Sequence, residues 1–552
     1  MTKRFRAVII LFLSVFAICT AVARPRLAVV ISYDQMRGDY IDRWSKNFGT
    51  DGFNLLRNKG AFFASTYFSH AKNITALGHS ILLTGCNPAK NGIAGNDFID
   101  DSCNCLRYCV ADDTARIYGI DSPIGRSPIL LAVPALGDLL IAKYPGSKTA
   151  AVAMKDRTAI LMAGHKARTV LWFEPDIGKF TTSTYYTLPR WMESFNRRYN
   201  CNRYAGRQWQ ATLPDGKQDD VEFEADFPGG GRVFPHKIPE KTTDKNFVKA
   251  FLHTPSAVEL LFDAAKSAII EEKLGIDDQP DLLCVGVSTT DFIGHNFGPD
   301  SREIEELYVQ CDLILSSFIK FLDERVGREN YVLVLASDHG VSPIPELIRQ
   351  FGSQPIDAGR LSYSIATDVI KHRFDSIYGP QSNGTQWVRF FDPPNIYLNE
   401  AVLESAGIKV DEAAAEALKA VRSVKELAYT ATVAEIVAGK IPEGWPEEFA
   451  RLMRNDIYPG RSGHLVVFPG QYWLYGDEPS SHGTFYDYDR FATMAFLGGE
   501  ISAKRIDSRA DPADIAPTLA ALLGVSMPDT DGAARTEIIK TPATKNNRKK
   551  KK

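Results

Sequence analysis

Three apolar runs, each closed by an aspartate, constrain the fold more than any other feature of this 552-residue chain. Leu27-Ala28-Val29-Val30-Ile31-Ser32 ends at Tyr33-Asp34, Leu282–Ser288 leads into Thr289-Thr290-Asp291, and Tyr331–Ser337 runs straight into Asp338-His339. None alternates between polar and apolar residues. Such runs predict strands buried on both faces, as in a parallel sheet covered by helices. Thr149–Met154, ending at Lys155-Asp156-Arg157, and Arg490–Leu497 read the same way. The predicted fold class is therefore α/β, with a mostly parallel central sheet flanked by helices. Ligands of such sheets bind outside the carboxyl ends of the strands, which is where all three aspartates fall.

A second stretch fits this frame. Asn73-Ile74-Thr75-Ala76-Leu77-Gly78-His79-Ser80 separates an aromatic, β-prone segment (Ala61–Phe68) from the apolar run Ile81–Gly85. The run predicts a buried helix that begins near Thr75. At a helix start the free N–H groups and the macrodipole favour negative charge, and a threonine nucleophile must become an anion. Asn96 follows in the flexible loop Gly92–Asp97. Lys155 and Arg157 stand two apart at a strand end, where both can reach one anion.

The histidines complete a pattern. His295 lies four residues after Asp291, so the pair can share one face of a helical turn. His339 adjoins Asp338, and His482 lies in a loop, Ser480–Thr484. Six carboxylate and imidazole ligands suit zinc better than magnesium, and they divide into two sets of three with open positions. A metal pair can clamp the attacking and leaving oxygens of an in-line displacement. Thr75 beside one metal would then be ionised, and Asn96, Lys155 and Arg157 would hold the remaining phosphoryl oxygens.

These motifs resemble the alkaline phosphatase superfamily, in the branch shared with nucleotide pyrophosphatase/phosphodiesterases. They are most similar to the phosphate-irrepressible (PafA-like) alkaline phosphatases. The resemblance rests on Ser32-Tyr33-Asp34-Gln35, Thr75–His79, Gly95-Asn96, Lys155-Asp156-Arg157, Asp291 with His295, Ser337–Gly340 and Ser481-His482-Gly483. It implies an alkaline-phosphatase-like core with inserted cap segments and two zinc ions per chain. Asp291, His295 and His482 would bind one zinc. Asp34, Asp338 and His339 would bind the other, which would also carry the Thr75 hydroxyl oxygen. The implied activity is hydrolysis of phosphate monoesters through a phosphothreonine. A phosphodiesterase of the same fold is the alternative, and a non-catalytic metal-stabilised binding protein a remoter one. The chain departs from the family at Leu77, where proline is usual, and at Asp97-Phe98, where an aromatic often follows the site asparagine sooner. Both changes bear on pocket shape.

Other motifs carry less. Cys86-Asn87-Pro88-Ala89-Lys90 approaches the C-x-P-x-R motif of type I sulfatases, but Lys replaces Arg and the segment stands behind Thr75. Gly229-Gly230-Gly231 lacks the strand context and Lys-Ser/Thr of a phosphate-binding loop. Lys3, Arg4 and Arg6 before the apolar stretch 7–18, with Ala21-Val22-Ala23 beyond, predict a signal peptide over 1–23 and an exported, periplasmic or secreted protein with no stable membrane span after cleavage. In that setting Cys103, Cys105 and Cys109 predict a local disulfide, while Cys284 and Cys311 read as core thiols. A formal charge of −3 gives no global sign of a nucleic-acid partner, the resemblance implies small phosphate esters as substrates, and the oligomeric state stays open. The predicted organisation is a catalytic core over 24–342 and 455–540, an insertion at about 166–250 bordering the site, a cap over 343–454 and a basic tail over 541–552.

Overall fold

The computed structural model describes residues 24–214, 217–352, 354–381 and 385–540. The expected signal peptide and basic tail lie outside the described residues. A 9-stranded sheet forms the centre. Its strands are β1 (Leu27–Tyr33), β2 (Ala61–Phe63), β3 (Thr149–Ala153), β4 (Thr169–Glu174), β5 (Lys179–Thr181), β6 (Asp281–Val287), β7 (Tyr331–Ala336), β8 (Met494–Gly498) and β9 (Lys504–Ile506). Their spatial order is β9-β2-β8-β7-β1-β6-β3-β4-β5. β7, β1, β6, β3 and β4 run parallel, whereas β8 and the edge strand β5 are antiparallel to their neighbours.

Every residue of β1 is buried, because the sheet is covered on both sides. Leu27, Val29, Ile31 and Tyr33 face a layer containing α3 (Pro255–Glu271) and α5 (Arg302–Arg325). Ala28 and Val30 face the opposite layer, with α1 (Thr75–Thr84), α2 (Asp156–Ala163) and α6 (Ile515–Leu523). This double coverage explains the missing alternation in the sequence. A further helix, α4 (Thr289–Phe297), starts directly after β6.

Two predicted boundaries need correction. The segment at 166–250 is not wholly an insertion, since β4 and β5 extend the central sheet at its edge. The short run Thr169–Phe173 is masked in the sequence by polar flanks. The rest of the segment packs Phe195, Tyr204, Trp209 and Phe227 against the α3 layer. The cap also reaches further than 454. Leu465–Phe468, expected to resume the core, is an inner strand of a separate four-stranded sheet, between Asn395–Leu398 and Tyr429–Thr432, with Val388–Asp392 at the edge. Trp473–Tyr475 likewise pairs with Gly359–Leu361. A buried apolar run looks alike in either sheet, so periodicity cannot assign it to one of them. The chain rejoins the core only at β8.

Cys103 and Cys105 form the local disulfide, with Cα atoms 5.2 Å apart. Cys109, Cys284 and Cys311 are buried free thiols.

Candidate active site

The carboxyl ends of β1, β6 and β7 bring the aspartates together. Asp34 follows β1, and its N–H donates to Val287 O at the end of β6, 2.9 Å away. Asp291 lies in the first turn of α4, and His295 is one turn on, with Nε2 3.2 Å from Asp291 Oδ1. His482 Nε2 lies 3.7 Å from the same oxygen. On the other side, His339 Nε2 is 3.4 Å from Asp34 Oδ1 and 3.3 Å from Asp338 Oδ2. Within each trio, Asp291/His295/His482 and Asp34/Asp338/His339, the donor atoms lie within 4.8 Å of one another. The His339 and His482 rings stack at 3.6 Å, so the trios abut.

The histidines are oriented from behind. Nδ1 of His295, His339 and His482 faces the backbone carbonyls of Ser480, Gly340 and Asn73, each at 2.9 Å. A proton held on Nδ1 leaves the Nε2 lone pair as a ligand. Asp34 Oδ1, Asp338 Oδ2 and His339 Nε2 are buried without a hydrogen-bond partner. Partnerless buried acceptors are costly, and a divalent cation among them satisfies all three. The donor set therefore fits a metal.

The two trios also shift one another's titration. Burial and the adjacent Asp291 push the Asp34 carboxyl up, yet Lys155 and His339 outweigh them and hold it below the usual range. Burial is likewise overcome at Asp291 by Lys155, His295 and His482. His482 is pushed well down by burial and by the neighbouring His339 and His295. Against burial, Asp338 and Asp34 lift His339 to about 9.

Thr75 is the first residue of α1, behind an extended Ile74. It is 2% exposed and lines a cavity of about 250 Å³ together with Asn96, Arg157, Asp291, His295 and His482. Asn96 Oδ1 accepts the Ala76 N–H at 3.2 Å, which leaves its NH2 group free to donate. Arg157 lies in the first turn of α2, just beyond β3, and is half-buried. Its Nη1 donates to the Tyr108 hydroxyl at 3.3 Å, and Tyr108 donates in turn to Asp156 at 2.5 Å. Burial opposes the Arg157 charge, but Tyr108 and Asp156 more than restore it. Lys155 takes a different place from the one its spacing suggests. It does not line the cavity but lies between the trios, with Nζ 2.7 Å from Asp34 Oδ2 and 2.6 Å from Asp291 Oδ2.

Several contributors escaped the sequence reading of roles. Gln35 has a left-handed backbone (φ 68°). Its N–H donates to Asp338 Oδ1 at 3.0 Å and its side-chain amide to Asp291 Oδ1 at 2.8 Å, so it spans both trios. Gly294 makes this possible, since a Cβ there would lie 1.6 Å from Gln35 Oε1. His79 is fully buried, with Nδ1 3.1 Å from Asp338 Oδ2. Gly78 lets α1 pack onto the Asp338 backbone, where a Cβ would meet the carbonyl oxygen at 2.0 Å. A glycine beside a catalytic motif is the one signal that marks such close approach.

Other expectations resolve simply. Leu77 and Phe98 are buried core residues and do not line the cavity. Cys86 lies beyond the far end of α1, buried, with its thiol pushed up by burial and Asp531. None of the cavity residues comes from 166–250.

A family model described as type I phosphodiesterase / nucleotide pyrophosphatase matches residues 28–488. A curated protein from Myroides odoratus named calcium-transporting ATPase is 31% identical over 92% of this chain and 93% of its own length. Alkaline phosphatase PhoV from Synechococcus elongatus is 32% identical over 94% of each chain. The crystal structure of wild-type alkaline phosphatase PafA, at 29% identity, covers 94% of this chain and 100% of that one with a TM-score of 0.84. No described helix is long and apolar enough to cross a membrane. The α/β core is thus that of a known hydrolase fold, and the chain belongs to the type I phosphodiesterase / nucleotide pyrophosphatase family of phosphoric ester hydrolases.

Proposed function

We propose that this chain is an exported di-zinc alkaline phosphatase that cleaves small phosphate monoesters through a phosphothreonine on Thr75. Asp291, His295 and His482 would hold one zinc, and Asp34, Asp338 and His339 the other, beside Thr75. The pair would supply the positive charge that ionises the threonine hydroxyl and meets the departing oxygen. Thr75 Oγ1 forms the bond to phosphorus as the bond to the leaving oxygen breaks. Water then attacks phosphorus, the bond to Thr75 Oγ1 breaks, and inorganic phosphate departs. The Asn96 amide and the Arg157 guanidinium hold the non-bridging oxygens, where charge gathers in the transition state. Export is supported by the N-terminal sequence pattern and by the Cys103–Cys105 disulfide.

The observation that carries the monoester reading is Arg157, a half-buried cation on the wall beside Thr75 and Asn96. A monoester presents one more charged oxygen there than a diester does. A charge-assisted contact is worth about 1.5–3 kcal/mol, so Arg157→Ala is expected to cut monoester kcat/KM by about tenfold to a hundredfold. Hydrolysis of a matched diester should fall far less. The assay compares a monoester and a diester of one leaving group on mature wild-type and variant protein. A wild type that prefers the diester, or an equal loss on both substrates, overturns the reading in favour of the phosphodiesterase.

A further inference from the structure

The core builds the phosphoryl end of the cavity, and the cap builds the other end. Tyr363, Trp473 and Tyr475 line it from the cap, on or just beyond the paired strands Gly359–Leu361 and Trp473–Tyr475. The Tyr363 and Tyr475 rings stack at 5.8 Å with planes 24° apart. Each strand yields space to an aromatic ring of the other. A Cβ at Gly359 would lie 2.7 Å from the Trp473 ring, and one at Gly476 would lie 2.7 Å from the Tyr363 ring. Rings seated on glycines and held by strand pairing form a preorganised flat surface, so a ligand loses little by ordering it. Tyr363 nevertheless remains 56% exposed.

The carboxylates on this side are paired. Asp392 lines the cavity, and Glu478 stands beside it with Oε2 3.1 Å from His295 Nδ1. Lys72 is already engaged, with Nζ 2.6 Å from Asp392 Oδ2. Among the described cavity residues Arg157 is the one Lys or Arg, and it faces the phosphoryl end.

We propose that this cap surface is a leaving-group subsite for flat rings. Stacking favours the ring. The proposal rests on the phosphomonoesterase reading and adds the class of ester to it.

The test uses mature full-length enzyme and four phosphate monoesters of primary alcohols: methyl, cyclohexylmethyl, benzyl and 4-carboxybenzyl. Each kcat/KM is read as a ratio to methyl phosphate measured on the same protein, which corrects for differences in folded fraction. Benzyl and 4-carboxybenzyl phosphate should each exceed the cyclohexylmethyl ester by about threefold to tenfold. Trp473→Ala should erase the benzyl advantage, and Tyr363→Ala, at a more exposed position, should reduce it. Three ring esters within twofold of one another in the wild type, or a benzyl ratio untouched by both variants, would overturn the proposal. If monoesters turn over more slowly than matched diesters, the monoesterase reading falls separately. The benzyl and cyclohexylmethyl comparison, made on diesters, then still decides whether the ring subsite exists.

Discussion

Asp456 ties the cap to the segment that carries Thr75, and its removal has a pH-dependent consequence. It is the last residue of the cap helix Glu447–Asp456, and its Oδ2 accepts the N–H groups of Ala71 and Lys72 at 2.7 and 2.8 Å. Oδ1 is buried without a partner. Burial raises the carboxyl to about 7 from an ordinary 3.8, although the two N–H groups and Lys72 pull the other way. About three units correspond to about 4 kcal/mol at 1.36 kcal/mol per unit. The folded chain binds this proton more tightly than the unfolded chain does. The stability it contributes is therefore complete below pH 4 and lost as pH rises to about 7. Asp456→Asn keeps an oxygen for both N–H groups and removes the buried charge. Relative to wild type it should gain stability progressively between pH 4 and 7 and level off above. Asp456→Ala orphans two buried donors, at about 1–3 kcal/mol each, and its loss of stability should be largest at pH 4, where the wild-type carboxyl is uncharged. Thermal melts of the three proteins at pH 4, 5.5 and 8 decide this. An Asn-minus-wild-type difference that does not change with pH would refute the buried-acid argument.

Further outcomes concern the centre itself. Thr75→Ala should abolish turnover and radiolabelling by substrate phosphate while zinc content stays near that of wild type, whereas Thr75→Ser should retain appreciable activity because the hydroxyl remains. Labelling that survives in Thr75→Ala would place the nucleophile elsewhere. Gln35→Ala removes one side-chain hydrogen bond to Asp291 and should weaken zinc binding about tenfold to a hundredfold in a competition titration with a chelator. Zinc affinity equal to wild type would reduce Gln35 to a packing residue.

The parallel core was legible because strands buried on both faces carry unbroken apolar runs, and the site because its residues follow those runs directly. Asp34, Asp291 and Asp338 needed no tertiary information beyond the rule about strand ends. His482 did, since it lies on the return path from the cap and joins Asp291 only through folding. Gln35 and His79 were invisible as participants, because an amide or imidazole next to a motif looks the same whether it supports a carboxylate or fills space. The cap boundary was misread for a related reason. Leu465–Phe468 is as apolar as a core strand, and only its pairing with Tyr429–Thr432 shows which sheet it joins. Lys155 shows the limit of spacing arguments. Its distance from Arg157 along the chain suggested a shared anion, yet its ammonium group lies between two carboxylates instead.

The position of β1 also bears on how the chain reaches this structure. This strand is near the start of the described residues, yet its hydrogen-bonding neighbours on both sides, β6 and β7, begin at Asp281 and Tyr331. Closing such long loops precedes any reward from the contacts, so folding of this topology is intrinsically slow. Until β6 and β7 arrive, a wholly apolar strand has two open edges, the condition under which partly folded chains associate with one another. The helix that begins at Thr75 shares the same dependence, because Gly78 packs against the Asp338 backbone just beyond β7. A chain cut before β7 would keep β6 and Asp291 but lack Asp338, and it would leave one edge of β1 open as a template for aggregation.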